Sequence, residues 1–558
     1  MGVLLFVLVA FATAVNGNPV VETPFGRVEG FEYKEANVFL GIRYGKAPVG
    51  ELRFEKPQIV PKWTETLKAT AFEHACYQTA LPVPNYANLS FSEDCLMMNI
   101  MTPKTPPQSK EGYPVMFYIH GGGFEYRSAT ELGYEKIVDH FASRGIVFVT
   151  FSYRLGPLGF LTTSDSVLPG NLGLWDQSLA MDFAREVLPS FGGNPNEITI
   201  SGVSAGSASV SAFTISPHTN TKFQRAIQIS GSMFAAYAID SRTDSSSPLF
   251  IEAIGCEREN SKETLECLKQ KDVDEFLKAA KIVGGDWHQV GGVRYHPRLD
   301  FDFFPADLRT LIRKAPKIPS IIGLTDAELG LQVFDKSNGT VFAAVNFDAH
   351  TVERLKESLK HMAFGSEELA AHFEKFYANP TEEERKDPLF PVRKQLQISS
   401  DIVFTIPTTQ EILEKLENGW PVYLYLEDYF SDLPLLEEFP IKGAFHANEM
   451  AYLFGLDQPL PILEDENDKK FTEILVEMIG SFTKKGKPEV QKNSWIPAEQ
   501  GHLRYLNLNL KSSMKERGFF EDNINFWSKL GDEVDLKLLK NIAPMTKKSV
   551  NLRDHSEF

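Results

Sequence analysis

The stretch from residue 198 to residue 213, ITISGVSAGSASVSAF, places Ser204 between two glycines, Gly202 and Gly206. A Gly-x-Ser-x-Gly pattern on a sharp turn from a strand into a helix exposes the serine as a nucleophile. The pattern alone is weak evidence, because glycine and serine are both common residues. At such a turn we expect a strained backbone at Ser204. We also expect glycine at 202 and 206, because side chains there would collide with the neighbouring strand and helix.

A nucleophilic serine needs donors for the negative oxygen that forms during acyl transfer, and residues 118–126, YIHGGGFEY, offer them. Three glycines after a buried strand allow the N–H groups of Gly122 and Gly123 to point at a substrate carbonyl. Ala205, at the start of the predicted helix, supplies a third N–H. His120 precedes the nucleophile, whereas sites of this kind take their histidine from later in the chain, so we do not expect it to be the base.

The elements that would position these groups are visible as short apolar runs between turn residues. Such runs lie at 113–120, 145–153, 196–202, 225–231, 317–325 and 421–427. Their continuous hydrophobicity predicts strands covered on both faces, and helical patterns at 351–362 and 471–485 lie between or after them. The sequence therefore predicts an α/β protein, a large and mostly parallel sheet with helices on both faces. Without repeats or a low-complexity linker, residues 18–558 are predicted to be one domain with a short polar tail.

The two ends of the chain indicate its cellular route. Residues 1–17 form an apolar run that ends in small residues and is too short to span a bilayer, which is typical of a signal peptide. The last four residues, 555–558, resemble a retention signal of the endoplasmic reticulum lumen, although an ordinary polar tail has the same composition. We expect either retention in that lumen or secretion, with N-glycosylation possible at Asn88 and Asn338.

Cysteine usage agrees with an oxidising compartment. The chain has four cysteines, and the simplest of the three possible pairings is Cys76 with Cys95 and Cys256 with Cys267. The cysteine spacing does not match a zinc site. The net charge of −17 argues against nucleic acid as a partner, and no later stretch is apolar enough for a membrane span.

Several blocks resemble the type-B carboxylesterase and cholinesterase family over nearly all of the mature sequence. They are FLGIRYGKAPVGELRF (39–54), SEDCLMMNI (92–100), HGGGF (120–124), YRLGPLGFL (153–161), GNLGLWDQ (170–177), FGGNPNEITISGVSAG (191–206) and FHANEMAYLFG (445–455). The resemblance implies the α/β-hydrolase fold and hydrolysis of carboxylic esters by the nucleophilic serine. It implies no metal or organic cofactor, and a small-molecule ester as the partner. It also matches the two cysteine pairings above, while the family's third bridge has no counterpart here.

The resemblance completes the catalytic set residue by residue. The acid is Glu328 in GLTDAELG and the base is His446 in GAFHANEM. Ser230, in QISGS, falls where the family keeps a serine that hydrogen-bonds the catalytic acid. From the residues alone, Glu328 could not be separated from Asp326, nor His446 from His502.

Departures from the family pattern narrow the substrate. Cholinesterases carry a tryptophan between the first two cysteines that binds a quaternary ammonium, and this chain has none there. Val203 stands where the family usually has a glutamate, which removes a charge that favours cationic substrates. Residues 293–305 resemble the segment that lines the acyl pocket, although aromatic residues there are equally compatible with ordinary core.

We therefore expect a carboxylesterase that is not a cholinesterase. A lipase or sterol esterase on the same fold is the alternative, and a non-catalytic adhesion or binding protein is a more distant one. The sequence does not determine the oligomeric state, the acyl-chain length or the physiological ester.

Overall fold

The computed structural model describes residues 13–15, 17–78, 89–284, 293–330, 351–363, 366–432, 441–456, 462–491 and 493–533. The predicted glycosylation sites Asn88 and Asn338, the C-terminal residues 555–558 and most of the predicted signal peptide lie outside these ranges. Those predictions therefore stay predictions.

Strands in the described ranges fall into one large sheet and three small ones. In chain order they are β1 Thr13–Val15, β2 Asn18–Thr23, β3 Gly26–Glu29, β4 Phe31–Tyr33, β5 Ala36–Arg43, β6 Leu67–Lys68, β7 Ala75–Cys76, β8 Phe91–Ser92, β9 Met97–Pro103, β10 Tyr113–Ile119, β11 Val147–Phe151, β12 Gly193–Val203, β13 Arg225–Ile229, β14 Ser320–Thr325, β15 Val422–Glu427, β16 Glu489–Val490, β17 Asn493–Ser494, β18 Tyr505–Leu508 and β19 Ser513–Lys515.

Helices connect and cover these strands. They are α1 Glu135–His140, α2 Gly156–Phe160, α3 Leu172–Val187, α4 Ala205–Ile215, α5 Arg242–Ala253, α6 Ser261–Gln270, α7 Val273–Val283, α8 Leu308–Lys314, α9 Val352–Met362, α10 Glu367–Tyr377, α11 Phe390–Ser400, α12 Ile406–Glu417, α13 Glu449–Phe454, α14 Glu466–Lys485 and α15 Glu521–Glu533. A π-helix, Asp401–Thr405, joins α11 to α12. None of the described helices is both long enough and apolar enough to cross a bilayer.

The large sheet has 11 strands within the described part of the chain, in the order β19-β18-β15-β14-β13-β12-β10-β11-β9-β5-β4. The strands from β18 to β11 pair in parallel, and the edge strands pair antiparallel. The predicted α/β fold with a mostly parallel sheet is confirmed. Each of the six apolar runs contains one parallel strand, whereas the antiparallel edges were not predicted.

Both faces of this sheet are buried, because successive side chains of a strand point to opposite sides. In β10, Val115 and Phe117 join the core on the face covered by α4, whereas Met116 and Tyr118 join the core on the opposite face, covered by α14. This double burial explains why the central strands read as continuous apolar runs. The parallel arrangement brings the C-terminal ends of β12, β14 and β15 to one edge, where loops can carry a site.

Candidate active site

Ser204 occupies the turn between the end of β12 and the start of α4. Its backbone has φ 58° and ψ −123°, a region that residues other than glycine rarely adopt. Its N–H donates to the carbonyl of Ile229 at 2.9 Å, which ties the turn to the neighbouring strand β13. The side chain is half-buried while the rest of α4 is buried. The strained turn therefore holds the hydroxyl out of the helix, as a nucleophile requires.

The glycines that flank the serine allow close approach of backbones. A Cβ on Gly206 would lie 2.1 Å from the carbonyl oxygen of Ile119, the last residue of β10. A Cβ on Gly202 would lie 2.5 Å from the backbone of Gly206 and 2.8 Å from that same oxygen. The expected collision with strand and helix is confirmed at both positions. Gly231 has a similar role that sequence reasoning missed, because a Cβ there would lie 2.3 Å from the Ser204 carbonyl oxygen.

The second glycine cluster lies directly against this turn. A Cβ on Gly121 would approach the Cβ of Ser204 to 3.2 Å. Gly122 and Gly123 have φ angles of 103° and 58°, and two following N–H groups close a tight turn on the Gly122 carbonyl. Among the described residues, nothing accepts a hydrogen bond from the N–H groups of Gly122 and Gly123. The Ala205 N–H, at the first position of α4, has no partner inside its helix.

Glu328 and His446 meet across two loops that run side by side. The Nδ1–H of His446 donates to Glu328 Oε2 at 2.7 Å, and the His446 backbone N–H donates to the Glu328 carbonyl at 3.0 Å. A parallel bridge between Ala327 and Phe445 fixes the register of the two loops. Glu328 is buried, whereas the imidazole is 21% exposed. Nδ1 thus faces Glu328, which fixes the orientation of the ring, and part of the imidazole stays exposed.

Two further donors hold the carboxylate of Glu328. Its Oε1 accepts from Ser230 Oγ at 2.6 Å and from the Thr325 backbone N–H at 2.8 Å. Ser230 is fully buried and follows β13, and its own N–H donates to the Gly323 carbonyl. The structure thus places Ser230 against the acid, as the family resemblance implied.

Asp326 and His502, which the residues alone did not separate from Glu328 and His446, make different contacts. Asp326 Oδ1 accepts from the backbone N–H of Ala444 at 2.8 Å. His502 lies beside β18, with its Nε2 3.3 Å from Glu516 Oε2.

His120 also makes contacts away from Glu328. The buried ring stacks on Tyr153 with centroids 4.4 Å apart, and its Nδ1 is 2.9 Å from the Gly121 carbonyl. Burial lowers the pKa of His120 to about 4, so this ring is a poor proton acceptor near neutral pH.

Phe404 is a site residue that sequence reasoning missed. It lies on the π-helix, and its ring centroid is 4.2 Å from that of His446. Tyr237 packs on its other side at 5.3 Å. Pro407, two residues after the π-helix, is the sequence signal for an irregular turn here, because proline cannot donate to the carbonyl four residues before it. A π-turn of this kind is often found at functional sites.

The first residues of the predicted acyl-pocket segment contact residues 123–125 beside the serine turn. A Cβ on Gly123 would lie 3.1 Å from a methyl group of Val293, and buried Glu125 accepts the N–H groups of Arg294 and Tyr295. Phe303 and Phe304, by contrast, are fully buried in the main core. The core interpretation holds for these two aromatics. Val203 is also buried, on the opposite face of the sheet.

Both expected disulfides are present. Cys76 pairs with Cys95 and Cys256 with Cys267, with Cα atoms 5.0 Å and 5.6 Å apart. The four cysteines are all used in these two bridges.

Known proteins resemble this chain along most of its length. The model of the carboxylesterase family matches residues 17–527. Gut esterase 1 of Caenorhabditis briggsae is 34% identical and covers 97% of each chain, and bile salt-activated lipase of Rattus norvegicus is 30% identical over 91% of this chain and 85% of its own. A solved structure of PNB esterase superposes with a TM-score of 0.74 at 28% identity, covering 91% of this chain and 99% of the other.

The fold is thus that of the α/β-hydrolases, and the class of protein is a carboxylic ester hydrolase. The chain belongs to the carboxylesterase family.

Proposed function

We propose that the chain is a serine carboxylesterase in which Ser204, Glu328 and His446 act as nucleophile, acid and base. The observation that carries the proposal is the 2.7 Å hydrogen bond from His446 to Glu328, whose carboxylate also accepts from Ser230, the residue after the Ile229 carbonyl that holds the serine turn. A carboxylate that accepts from Nδ1–H keeps the proton on that nitrogen and leaves a lone pair on Nε2. The ring is then ready to accept the serine proton.

In the first half of the reaction, Ser204 Oγ attacks the ester carbonyl while His446 Nε2 takes the hydroxyl proton. The carbonyl oxygen becomes negative and is stabilised by the N–H groups of Gly122, Gly123 and Ala205, each worth about 3 kcal/mol. Collapse of the tetrahedral intermediate breaks the bond to the alcohol, which leaves with the proton from the imidazolium. The acyl group stays on Ser204.

In the second half, water adds to the acyl-enzyme. His446 takes one proton from the water, and the same N–H groups stabilise the second oxyanion. The carboxylic acid is released and the proton returns to Ser204 Oγ. Glu328 stabilises the imidazolium in both halves without taking the proton itself.

The test is hydrolysis of a nitrophenyl ester series from acetate to palmitate by the purified chain and its Ser204→Ala variant. Loss of the nucleophile costs about a millionfold in kcat in a triad of this type. We expect activity that peaks at short acyl chains and disappears in the variant. Equal rates for the two proteins on every ester would reject the catalytic proposal in favour of a binding role.

A lipase is the second candidate, because proteins named bile salt-activated lipase are about as similar to this chain as several esterases are. The long-chain esters are therefore assayed with and without a bile salt. A palmitate optimum that depends on the bile salt would assign the chain to that activity instead.

We further propose that the chain enters the secretory pathway through residues 1–17 and is N-glycosylated at Asn88 and Asn338. The two disulfides support this route, because such bridges are rare in the cytosol. Residues 555–558 would retain the protein in the endoplasmic reticulum. Deletion of these four residues from a tagged chain should release it into the medium, and equal secretion of both forms would refute retention.

A further inference from the structure

Two glutamates lie buried side by side behind the pair of Glu328 and His446. Glu427 is the last residue of β15, and Glu449 is the first residue of α13, three positions after His446. Their exposed fractions are 0% and 1%. Asn448, next to Glu449 in the chain, donates to Glu427, and Tyr425, two positions before Glu427, donates to Glu449, so the two carboxyl groups are neighbours. Two buried carboxyl groups so close together need an explanation, because moving a carboxylate charge out of water is costly.

One oxygen of each carboxyl group has a conventional partner. Asn448 Nδ2 donates to Glu427 Oε1, and the Tyr425 hydroxyl donates to Glu449 Oε1 at 2.9 Å. The other two oxygens, Glu427 Oε2 and Glu449 Oε2, are buried, and no donor among the described residues reaches them. A single proton between these two oxygens would satisfy both of them.

The surroundings favour such a shared proton. Burial, together with the neighbouring Glu449, raises the pKa of Glu427 well above its ordinary range, and burial raises the pKa of Glu449 to about 7. Two adjacent carboxylates in a buried site cannot both ionise without strong repulsion. The pair therefore retains a proton, on Glu427, and Glu449 becomes its negative member as pH rises through about 7.

The negative charge of Glu449 can attract only a neighbour that becomes positive. The ionisable side chains around the pair come from β10, β15, the loop after β14 and the loop and helix at α13. Among the described residues they include Tyr118, Tyr425, Asp326, Glu328, Tyr452 and His446. His446 is the single member of this set that becomes positive.

We propose that Glu427 and Glu449 are positioning residues for ester hydrolysis, a carboxyl–carboxylate pair whose one negative charge stabilises the imidazolium of His446. Glu427 Oε2–H donates to Glu449 Oε2, which favours the ionised form of Glu449 and fixes its side chain at the start of α13. The inference rests on the proposed function of His446 as the base. Val203 adds no charge to the site, so Glu449 supplies the second negative charge near the imidazole.

The test is the pH dependence of kcat/KM with nitrophenyl butyrate for the wild type and three variants. The double variant Glu427→Gln/Glu449→Gln keeps shape and hydrogen-bonding groups but removes the charge. We expect its acid limb to move down by about 0.5 to 1 pH unit, and its kcat to fall about 3- to 10-fold, since the imidazolium is less stable. Glu427→Gln alone should leave the acid limb at its wild-type pH, because the amide of the introduced glutamine donates to Glu449 Oε2. Exposed Glu466→Gln is the matched control.

A double variant whose acid limb coincides with that of the wild type would overturn the proposal, even if kcat falls, because a merely structural role does not move the limb. So would a Glu427→Gln limb displaced as far as that of the double variant.

An infrared measurement decides the case if the double variant fails to fold. The difference spectrum of wild type against Glu427→Gln at neutral pH should show loss of a protonated carboxyl band that shifts in D2O, and absence of the band would refute the shared proton. That band does not depend on turnover. If the band is present but the chain has no Ser204-dependent activity, the proposed function is rejected while the shared proton stands.

Discussion

Replacement of Glu328 by glutamine tests how the acid controls the imidazole. The carboxylate accepts three hydrogen bonds, from Thr325 N–H and Ser230 Oγ at Oε1 and from His446 Nδ1 at Oε2. A backbone N–H is only ever a donor, so the amide oxygen of the introduced glutamine must take the place of Oε1. The amide NH2 group then faces His446.

This orientation forces the wrong tautomer. An NH2 group opposite Nδ1 requires Nδ1 to accept, which moves the ring proton to Nε2. Nε2 can then no longer take the proton of Ser204 Oγ. The corresponding change in a serine protease lowers kcat about 10⁴-fold, equivalent to about 5.5 kcal/mol, and we expect a loss of that size here.

The assay is kcat and KM for a short nitrophenyl ester at about pH 7.5, with thermal unfolding to confirm that the variant folds. KM should change little, because Glu328 lies beneath the imidazole and out of reach of the substrate. Glu473→Gln, an exposed change on α14, is the control and should match the wild type. A folded Glu328→Gln enzyme that loses less than about tenfold in kcat would refute the tautomer mechanism.

Three further changes test neighbouring contacts. Ser230→Ala removes one charge-assisted hydrogen bond to the acid and should lower kcat about tenfold at constant KM; an unchanged kcat would exclude a role for this contact. Lys415→Met leaves the buried carboxylate of Glu411, now 2.6 Å from Lys415 Nζ, without its positive partner, and should lower the free energy of unfolding in denaturant by about 3 to 5 kcal/mol. Adding Glu411→Leu should recover part of this loss. Burial raises the pKa of Asp401 to about 7 from 3.8, so the stability it contributes at low pH is lost as pH rises through that range. Asp401→Asn should therefore gain as much as about 4 kcal/mol relative to wild type between about pH 4 and 7, and parallel stability curves would contradict this.

The central sheet and the turn at Ser204 were predictable because both depend on local pattern. Strands buried on both faces must be apolar throughout, and the turn at Ser204 needs small residues at fixed positions, so these features are written in consecutive residues. The collisions that a Cβ would make at Gly202 and Gly206 show why no other residue type suits those positions.

The proposed acid and base could not be chosen from the residues alone, because the choice depends on contacts between distant loops. Asp326 and Glu328 both follow β14, and they differ in their partners. Ser230 Oγ, the Thr325 N–H and His446 Nδ1 donate to Glu328, whereas the Ala444 N–H donates to Asp326. Phe404 was missed for a similar reason. Its ring reaches His446 because one turn of helix is wider than its neighbours, and helical periodicity does not reveal a single π-turn.

The carboxyl groups at this edge of the sheet differ in the donors that they receive. Glu328 accepts hydrogen bonds from three donors, so its carboxylate needs no proton of its own. Glu427 and Glu449 receive one described side-chain donor each at one oxygen, and the other oxygen of each is buried without a partner among the described residues. Repulsion between neighbouring buried acids is thus relieved by hydrogen bonds at Glu328 and by a retained proton at the pair. Sequence shows only three glutamates at strand ends and loops; which of them is charged follows from where the donors lie.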